Sequence, residues 1–178
     1  MKIENEITVL NIDKEKFIEK ILEMGGKEVS PELKQIRCVY DFNPVNKNKW
    51  IRLRTNGSKT TLTIKEINNN SKMGAKELEI QVSDFEETNR ILNELGYKYR
   101  NRQENFRHIF LLDGAEISID TWPKIKPYAE IEADTKQDIE KVLKKLEINP
   151  SQITELDVCS IYSDIYNIDL LAIKDLTF

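Results

Sequence analysis

The chain has 178 residues, 39% hydrophobic and 33% charged, and its 27 basic and 31 acidic side chains leave a net charge of −4. That length predicts one domain, 1–178, with enough core to fold without disulfides or structural metals, and the acidic balance excludes a non-specific nucleic-acid coat. Two cysteines without a CxxC pair, Cys38 and Cys159, and a single histidine, His108, speak against a disulfide framework, a zinc knuckle, a histidine metal cluster and a Ser-His-Asp triad.

The first strand is expected at 2–9. Asp13 then caps a helix with Phe17, Ile18, Ile21 and Leu22 on one face, stopped by Gly25-Gly26. Strands follow at 35–42, 49–55 and 59–66, the last two joined by an Asn56-Gly57 turn. The polar stretch Asn68–Gly74 reads as a loop before a strand at 76–82. A helix starting near Ser83 or Asp84 carries Phe85, Ile91, Leu92 and Leu95 and ends at Gly96. Strands are expected at 97–103, 106–112 and 115–121, with an Asp113-Gly114 turn, and at 128–134. A third helix starts near Thr135, with Ile139, Val142, Leu143 and Leu146, and stops before Pro150. A weaker helical pattern follows Ser151. Apolar runs of only a few residues predict no membrane span. The opening MKIENEI has no signal-type apolar region, so the cytoplasm is the expected location.

Residues two apart on a strand share a face. Glu4, Glu6 and Thr8 oppose Ile3, Ile7 and Val9. Arg52 and Arg54 oppose Ile51 and Leu53. Thr61, Thr63 and Lys65 oppose Leu62 and Ile64. Glu77, Glu79 and Gln81 oppose Leu78, Ile80 and Val82. Glu116, Ser118 and Asp120 oppose Ile117 and Ile119. Glu130, Glu132 and Asp134 oppose Ala129, Ile131 and Ala133. An open sheet with a solvated charged face explains any one of these strands. Taken together they segregate acid from base, and about nine antiparallel strands tend to curl or close. Closure would gather the charged faces in a lumen.

Clustered carboxylates call for a hard divalent cation, and clustered arginines for an anion such as phosphate. Both in one cavity suggest a metal-chelated polyphosphate. No GxxxxGK[ST] or GxGxxG offers another phosphate device.

In this light Glu4-x-Glu6, Tyr40-Asp41-Phe42, Arg52-Leu53-Arg54, Leu62-Thr63-Ile64-Lys65, Glu77-x-Glu79, Arg100-x-Arg102, Asp120, Glu130-x-Glu132 and the late SIYSDIY segment are notable as an ordered set. The set resembles the CYTH domains, or triphosphate tunnel metalloenzymes, which include class IV adenylyl cyclases, thiamine triphosphatases and inorganic tripolyphosphatases. The resemblance implies an α+β fold, a closed antiparallel eight-stranded β-barrel with helices outside. It implies an enzyme dependent on Mg²⁺ or Mn²⁺, hydrolysing a triphosphate or cyclising ATP, with tripolyphosphate, ATP or thiamine triphosphate as its small-molecule partner. Glu4, Glu6, Asp120, Glu130 and Glu132 would hold metal. Arg52, Arg54, Lys65, Arg102 and, less directly, Arg107 would bind phosphate. Lys65 and Glu79 would be catalytic, Glu79 by positioning the basic groups or a water held by the metal. The family signature ExExK departs here to Thr8, which implies an alternative: a triphosphate- or nucleotide-binding module with little turnover. The segment Thr121–Tyr128 also replaces the family's glycine-containing turn.

Overall fold

The computed structural model describes residues 2–3, 5–67 and 75–178. The strands are β1 (Lys2–Ile3), β2 (Asn5–Val9), β3 (Lys27–Asp41), β4 (Lys49–Thr55), β5 (Thr60–Ile67), β6 (Ala75–Val82), β7 (Tyr99–Leu112), β8 (Ala115–Thr121), β9 (Tyr128–Ala133), β10 (Ile153–Thr154) and β11 (Asp175–Leu176). The helices are α1 (Lys14–Glu23), α2 (Phe85–Glu94), α3 (Lys136–Lys145) and a short α4 (Val158–Ser160) that runs on into a π-helical turn.

Local chemistry sets the helix ends. Asp13, Asp84 and Thr135 accept hydrogen bonds from the backbone N–H three residues on, covering donors the first turn leaves bare. At the far end of α2, Gly96 takes φ +89°, which lets the Tyr97 N–H return to the Leu92 carbonyl at 2.9 Å. The β7–β8 hairpin turns on Asp113 and Gly114, both at positive φ, with Leu112 paired to Ala115.

The strands form one sheet in the order β1-β6-β5-β4-β3-β7-β8-β9-β2-β10, antiparallel along this path, with β11 added in parallel to β7. The two ends of that path meet on the chain itself. Ile3 pairs with Lys76 of β6, and two positions later Asn5 pairs with Ala133 of β9. Two residues reach about 7 Å, so the edges of β6 and β9 are drawn onto one strand and the sheet closes. Lys65 on β5 also acts electrostatically on Glu130 of β9. Five strand spacings would put them about 24 Å apart in a flat sheet. With β1 and β2 counted as one, eight strands surround the lumen, as the resemblance implied.

The outer face is apolar and carries the helices. α1 and α3 cover β2, β8 and β9 through Phe17, Ile21, Ile117, Ile131, Ile139 and Val142. α2 covers β3 to β5, with Leu92 against Cys38, Tyr40, Ile51 and Leu53. A third cluster joins the C-terminal segment to the loop after β8: Trp122, Tyr128, Ile161, Tyr162, Leu170 and Leu176. Tyr162 donates to the Pro123 carbonyl at 2.5 Å, and Asn101 Nδ2 donates to the Ile173 carbonyl at 2.6 Å.

Three expectations change. β3 begins at Lys27, not at 35, although KEVSPEL is polar and contains Pro31; ladder bonds to β7 hold it in the sheet across two register irregularities. The segments 97–103 and 106–112 are one 14-residue strand, β7. The weak helical pattern after Ser151 divides into a 3₁₀ turn, β10, and α4 with its π-helical turn. No helix among the described residues is long and apolar enough to cross a membrane.

Candidate functional site in the lumen

Directly opposed residues in an antiparallel ladder share a face, so the register defines the lumen. Across β3, β4, β5 and β6, Arg37 opposes Arg54, Arg52 opposes Thr63, Trp50 opposes Lys65, Lys65 opposes Glu77, and Thr63 opposes Glu79. Across β7, β8, β9 and β2, Arg107 opposes Asp120, Ser118 opposes Glu130, Glu116 opposes Glu132, Glu130 opposes Thr8, and Glu132 opposes Glu6. The sheet order therefore polarises the lumen. Arg37, Arg52, Arg54 and Lys65 line a basic arc on β3 to β5. Asp120, Glu130, Glu132 and Glu6 line an acidic arc on β8, β9 and β2. Arg107 on β7 stands next to the acidic arc, and Glu77 and Glu79 on β6 flank the basic one. Glu4 lies outside the described residues.

Arg107 grips the acidic arc. Its Nε and one terminal nitrogen bond Asp120 at 3.0 and 2.5 Å, and the same terminal nitrogen bonds Glu130 at 2.6 Å. Burial alone would pull the Arg107 guanidinium down, but the carboxylates of Asp120 and Glu130 together hold it well above its usual range. Asp120 is fully buried, and burial pushes its carboxyl up against the pull of Arg107. Burial also opposes the Glu130 charge, yet Arg107, Lys65 and Arg37 outweigh it and keep that carboxyl low. Asn105 Nδ2 donates to Asp120 at 2.7 Å, and its Oδ1 accepts from Arg37 at 2.7 Å. One hydrogen-bonded chain thus runs Arg37–Asn105–Asp120–Arg107–Glu130.

The basic arc is tethered from β6. Lys65 pairs with Glu77, Arg52 lies 3.5 Å from Glu79 and 3.7 Å from Glu77, and Arg54 lies 3.9 Å from Glu79. Thr63 Oγ1 donates to Glu79 at 2.7 Å. Burial raises the Glu79 carboxyl, but the Thr63 hydroxyl, Arg54 and Arg52 bring it below its ordinary value. The arc nevertheless carries surplus positive charge. Arg54 is held well below its usual range, first by the neighbouring Arg52 and then by burial. Burial, with Arg52 and Arg107 nearby, lowers Arg37 to about 10. An anion between these guanidinium groups would relieve both.

Thr8 faces the lumen, is 5% exposed, and donates to the Leu156 carbonyl at 3.4 Å. Arg102 is not brought into the lumen. It opposes Cys38, which belongs to the outer core beneath α2, and its guanidinium lies 3.6 Å from Glu104. The cause is the continuity of β7: residues 102 and 107 are an odd number apart, so only one can face inward. Sequence reasoning missed Arg37, which stacks on Trp122 with the guanidinium carbon 4.5 Å from the ring centre. The signal was present in Gln35-x-Arg37, polar positions alternating with Ile36 and Cys38. Glu77 was read on the charged face of its strand, in Glu77-x-Glu79, but given no role, and Asn105 was passed over.

The acidic arc offers only carboxylate oxygens, a donor set that suits Mg²⁺ or Mn²⁺ rather than zinc. Among the described residues no three acidic groups converge on one point.

The family model that matches the chain is that of the CYTH domain, over residues 4–158. No curated protein matches. The PH1012 protein of Pyrococcus horikoshii superposes with a TM-score of 0.75 at 22% identity, covering 86% of this chain and 96% of its own. A Vibrio parahaemolyticus protein provisionally assigned as an adenylate cyclase gives 0.77 at 12% identity, covering 91% and 98%. The Hippeastrum protein HpAC1, described as having a dominant triphosphatase activity, gives 0.62 at 13% identity, covering 97% and 99%. At these identities the likeness is one of fold.

Proposed function

This chain belongs to the CYTH domain family, and from that premise we propose that its lumen binds a triphosphate with Mg²⁺ or Mn²⁺ and catalyses phosphoryl or nucleotidyl transfer. The observation that carries the proposal is the polarised lumen, basic on β3 to β5 and acidic on β8, β9 and β2. The phosphates lie along Arg37, Arg52, Arg54 and Lys65, where guanidinium forks match phosphate oxygens. Glu6, Asp120, Glu130 and Glu132, with Glu4, would hold the metal, which when bound neutralises charge on the phosphate oxygens. Glu77 and Glu79 keep Lys65, Arg52 and Arg54 extended toward the phosphates, so little reorganisation is needed as charge shifts during the reaction. In hydrolysis, water attacks the terminal phosphorus and the bond to the bridging oxygen breaks, releasing orthophosphate. In cyclisation, a ribose hydroxyl attacks the α-phosphorus and pyrophosphate leaves. The triphosphatase activity stated for the Hippeastrum protein favours hydrolysis as the first to test.

A second reading is binding with little turnover. It is favoured by Thr8, which stands on the lumen face opposite Glu130 without the charge of the signature lysine. A panel of tripolyphosphate, ATP and thiamine triphosphate, each with Mg²⁺ and with Mn²⁺, tests both. Phosphate release or cyclic AMP is the expected result. Binding without product supports the second reading, and neither binding nor product refutes both.

A further inference from the structure

Arg107 is bonded to two of the carboxylates that the proposed function gives to the metal. One terminal nitrogen of its guanidinium lies between Asp120 Oδ2 of β8, at 2.5 Å, and Glu130 Oε2 of β9, at 2.6 Å. Its Nε bonds the second Asp120 oxygen at 3.0 Å. A hard divalent ion takes oxygen ligands at about 2.1 Å and cannot share the place between those oxygens with a nitrogen. Arg107 and a metal bridging β8 and β9 are therefore alternatives. The guanidinium is not locked into a dry core: the Arg107 side chain is 15% exposed and that of Glu130 24%. β7 stands between β3 and β8 in the sheet order, so Arg107 lies between the basic and acidic arcs. Its charge reaches Arg37 and Arg54 of the basic arc and repels both.

We propose that Arg107 is a positioning residue that keeps the metal's place in the free protein and turns to the phosphates when the lumen fills, so that metal binds tightly only together with a triphosphate. The inference rests on the function proposed above and adds the order in which the site is occupied. A divalent ion arriving alone must displace the guanidinium, which then meets Arg37 and Arg54 with no anion between them. That repulsion opposes the exchange. A triphosphate on the basic arc removes the obstacle, because a guanidinium fork suits phosphate oxygens as well as carboxylate oxygens. Arg107 then changes partner, and Asp120 and Glu130 become available. Asn105 Nδ2, which donates to Asp120 at 2.7 Å, keeps that carboxylate oriented through the exchange. With Arg107 on the carboxylates in roughly nine of ten free molecules or more, the apparent dissociation constant for metal alone rises about tenfold or more.

Mn²⁺ alone, followed by the electron paramagnetic resonance of the free ion, is the first probe, applied to the full chain. Arg107→Gln removes the charge and keeps a hydrogen-bond donor for Asp120. It is expected to bind Mn²⁺ about tenfold or more tightly than wild type. A merely structural Arg107 gives the opposite sign, since loosening Asp120 and Glu130 would weaken a metal site. Equal or weaker Mn²⁺ binding by the folded variant overturns the inference. Should the variant fail to fold, the wild-type chain decides. With isotope-labelled arginine, the Arg107 Nε–H resonance is expected to stay in place with Mg²⁺ alone and to move with Mg²⁺ and tripolyphosphate together. A resonance that moves with Mg²⁺ alone, or is unmoved by the pair, overturns the inference. If the pair binds wild type and Arg107→Gln gains no affinity for Mn²⁺, this inference alone falls. If the pair binds neither chain, the proposed function falls with it.

Discussion

Arg107 neutralises two carboxylates that burial would otherwise penalise, and it does so with three hydrogen bonds. Removing it leaves Asp120 wholly buried without its cation. Breaking one side of such a pair costs about 3–5 kcal/mol, because an uncompensated charge stays in a poorly solvated place. Arg107→Ala should therefore lower the urea stability by about that amount, and adding Asp120→Asn should recover part of the loss. An Arg107→Ala protein as stable as wild type would show that water already reaches Asp120. Glu79 gives a pH test. Its folded-state pKa lies below its ordinary value of 4.5. The carboxylate therefore stabilises the fold above that value and loses its contribution as pH falls through the lower folded-state value. Between pH 6 and pH 3 the urea midpoint of Glu79→Gln should fall less than that of wild type; equal falls would mean that its partners do not favour the charge.

At the scale of elements, what the sequence made readable was what is decided locally. Asp13, Asp84 and Thr135 cap the helices they were expected to start, because a cap involves only four consecutive residues. Asp84→Ala should accordingly lower stability by about 1 kcal/mol in urea unfolding. The glutamate and arginine faces were readable because a strand alternates with period two, whatever its neighbours. What was not readable depends on distant partners. Pro31 and a run of polar residues hide the first half of β3, which exists because β7 bonds to it. Nothing in Gln103-Glu104-Asn105 reveals that β7 is unbroken, and that continuity decides the fate of Arg102. With Arg102 beneath α2's side of the sheet, Arg102→Ala should leave tripolyphosphate binding unchanged. Arg54→Ala should weaken it about tenfold or more, since a charge-assisted hydrogen bond is worth about 1.5–3 kcal/mol. Isothermal titration of both variants checks the pair; equal losses would mean that Arg102 reaches the phosphates after all.

The whole molecule places acid and base on opposite arcs of one closed lumen, and on the function proposed above this would couple the two halves of a metal–triphosphate ligand. Metal alone would meet the acidic arc, where Arg107 already holds Asp120 and Glu130. Tripolyphosphate alone would satisfy Arg37 and Arg54 but bring its own negative charge toward the glutamates. Together each ligand cancels the charge the other brings, so their effects should exceed additivity. A ligand at one hundred times its dissociation constant stabilises the folded state by about 2.7 kcal/mol. At this chain length that is a rise in Tm of roughly 5–11 °C. Thermal scans with Mg²⁺, with tripolyphosphate and with both, matched in ionic strength by sodium chloride, should show the large shift only for the pair. In Arg54→Ala the pair's shift should shrink while any shift from Mg²⁺ alone persists, because that substitution touches the basic arc and leaves the acidic one intact. Shifts that merely add, or that sodium chloride reproduces, would mean that the two arcs do not share a ligand.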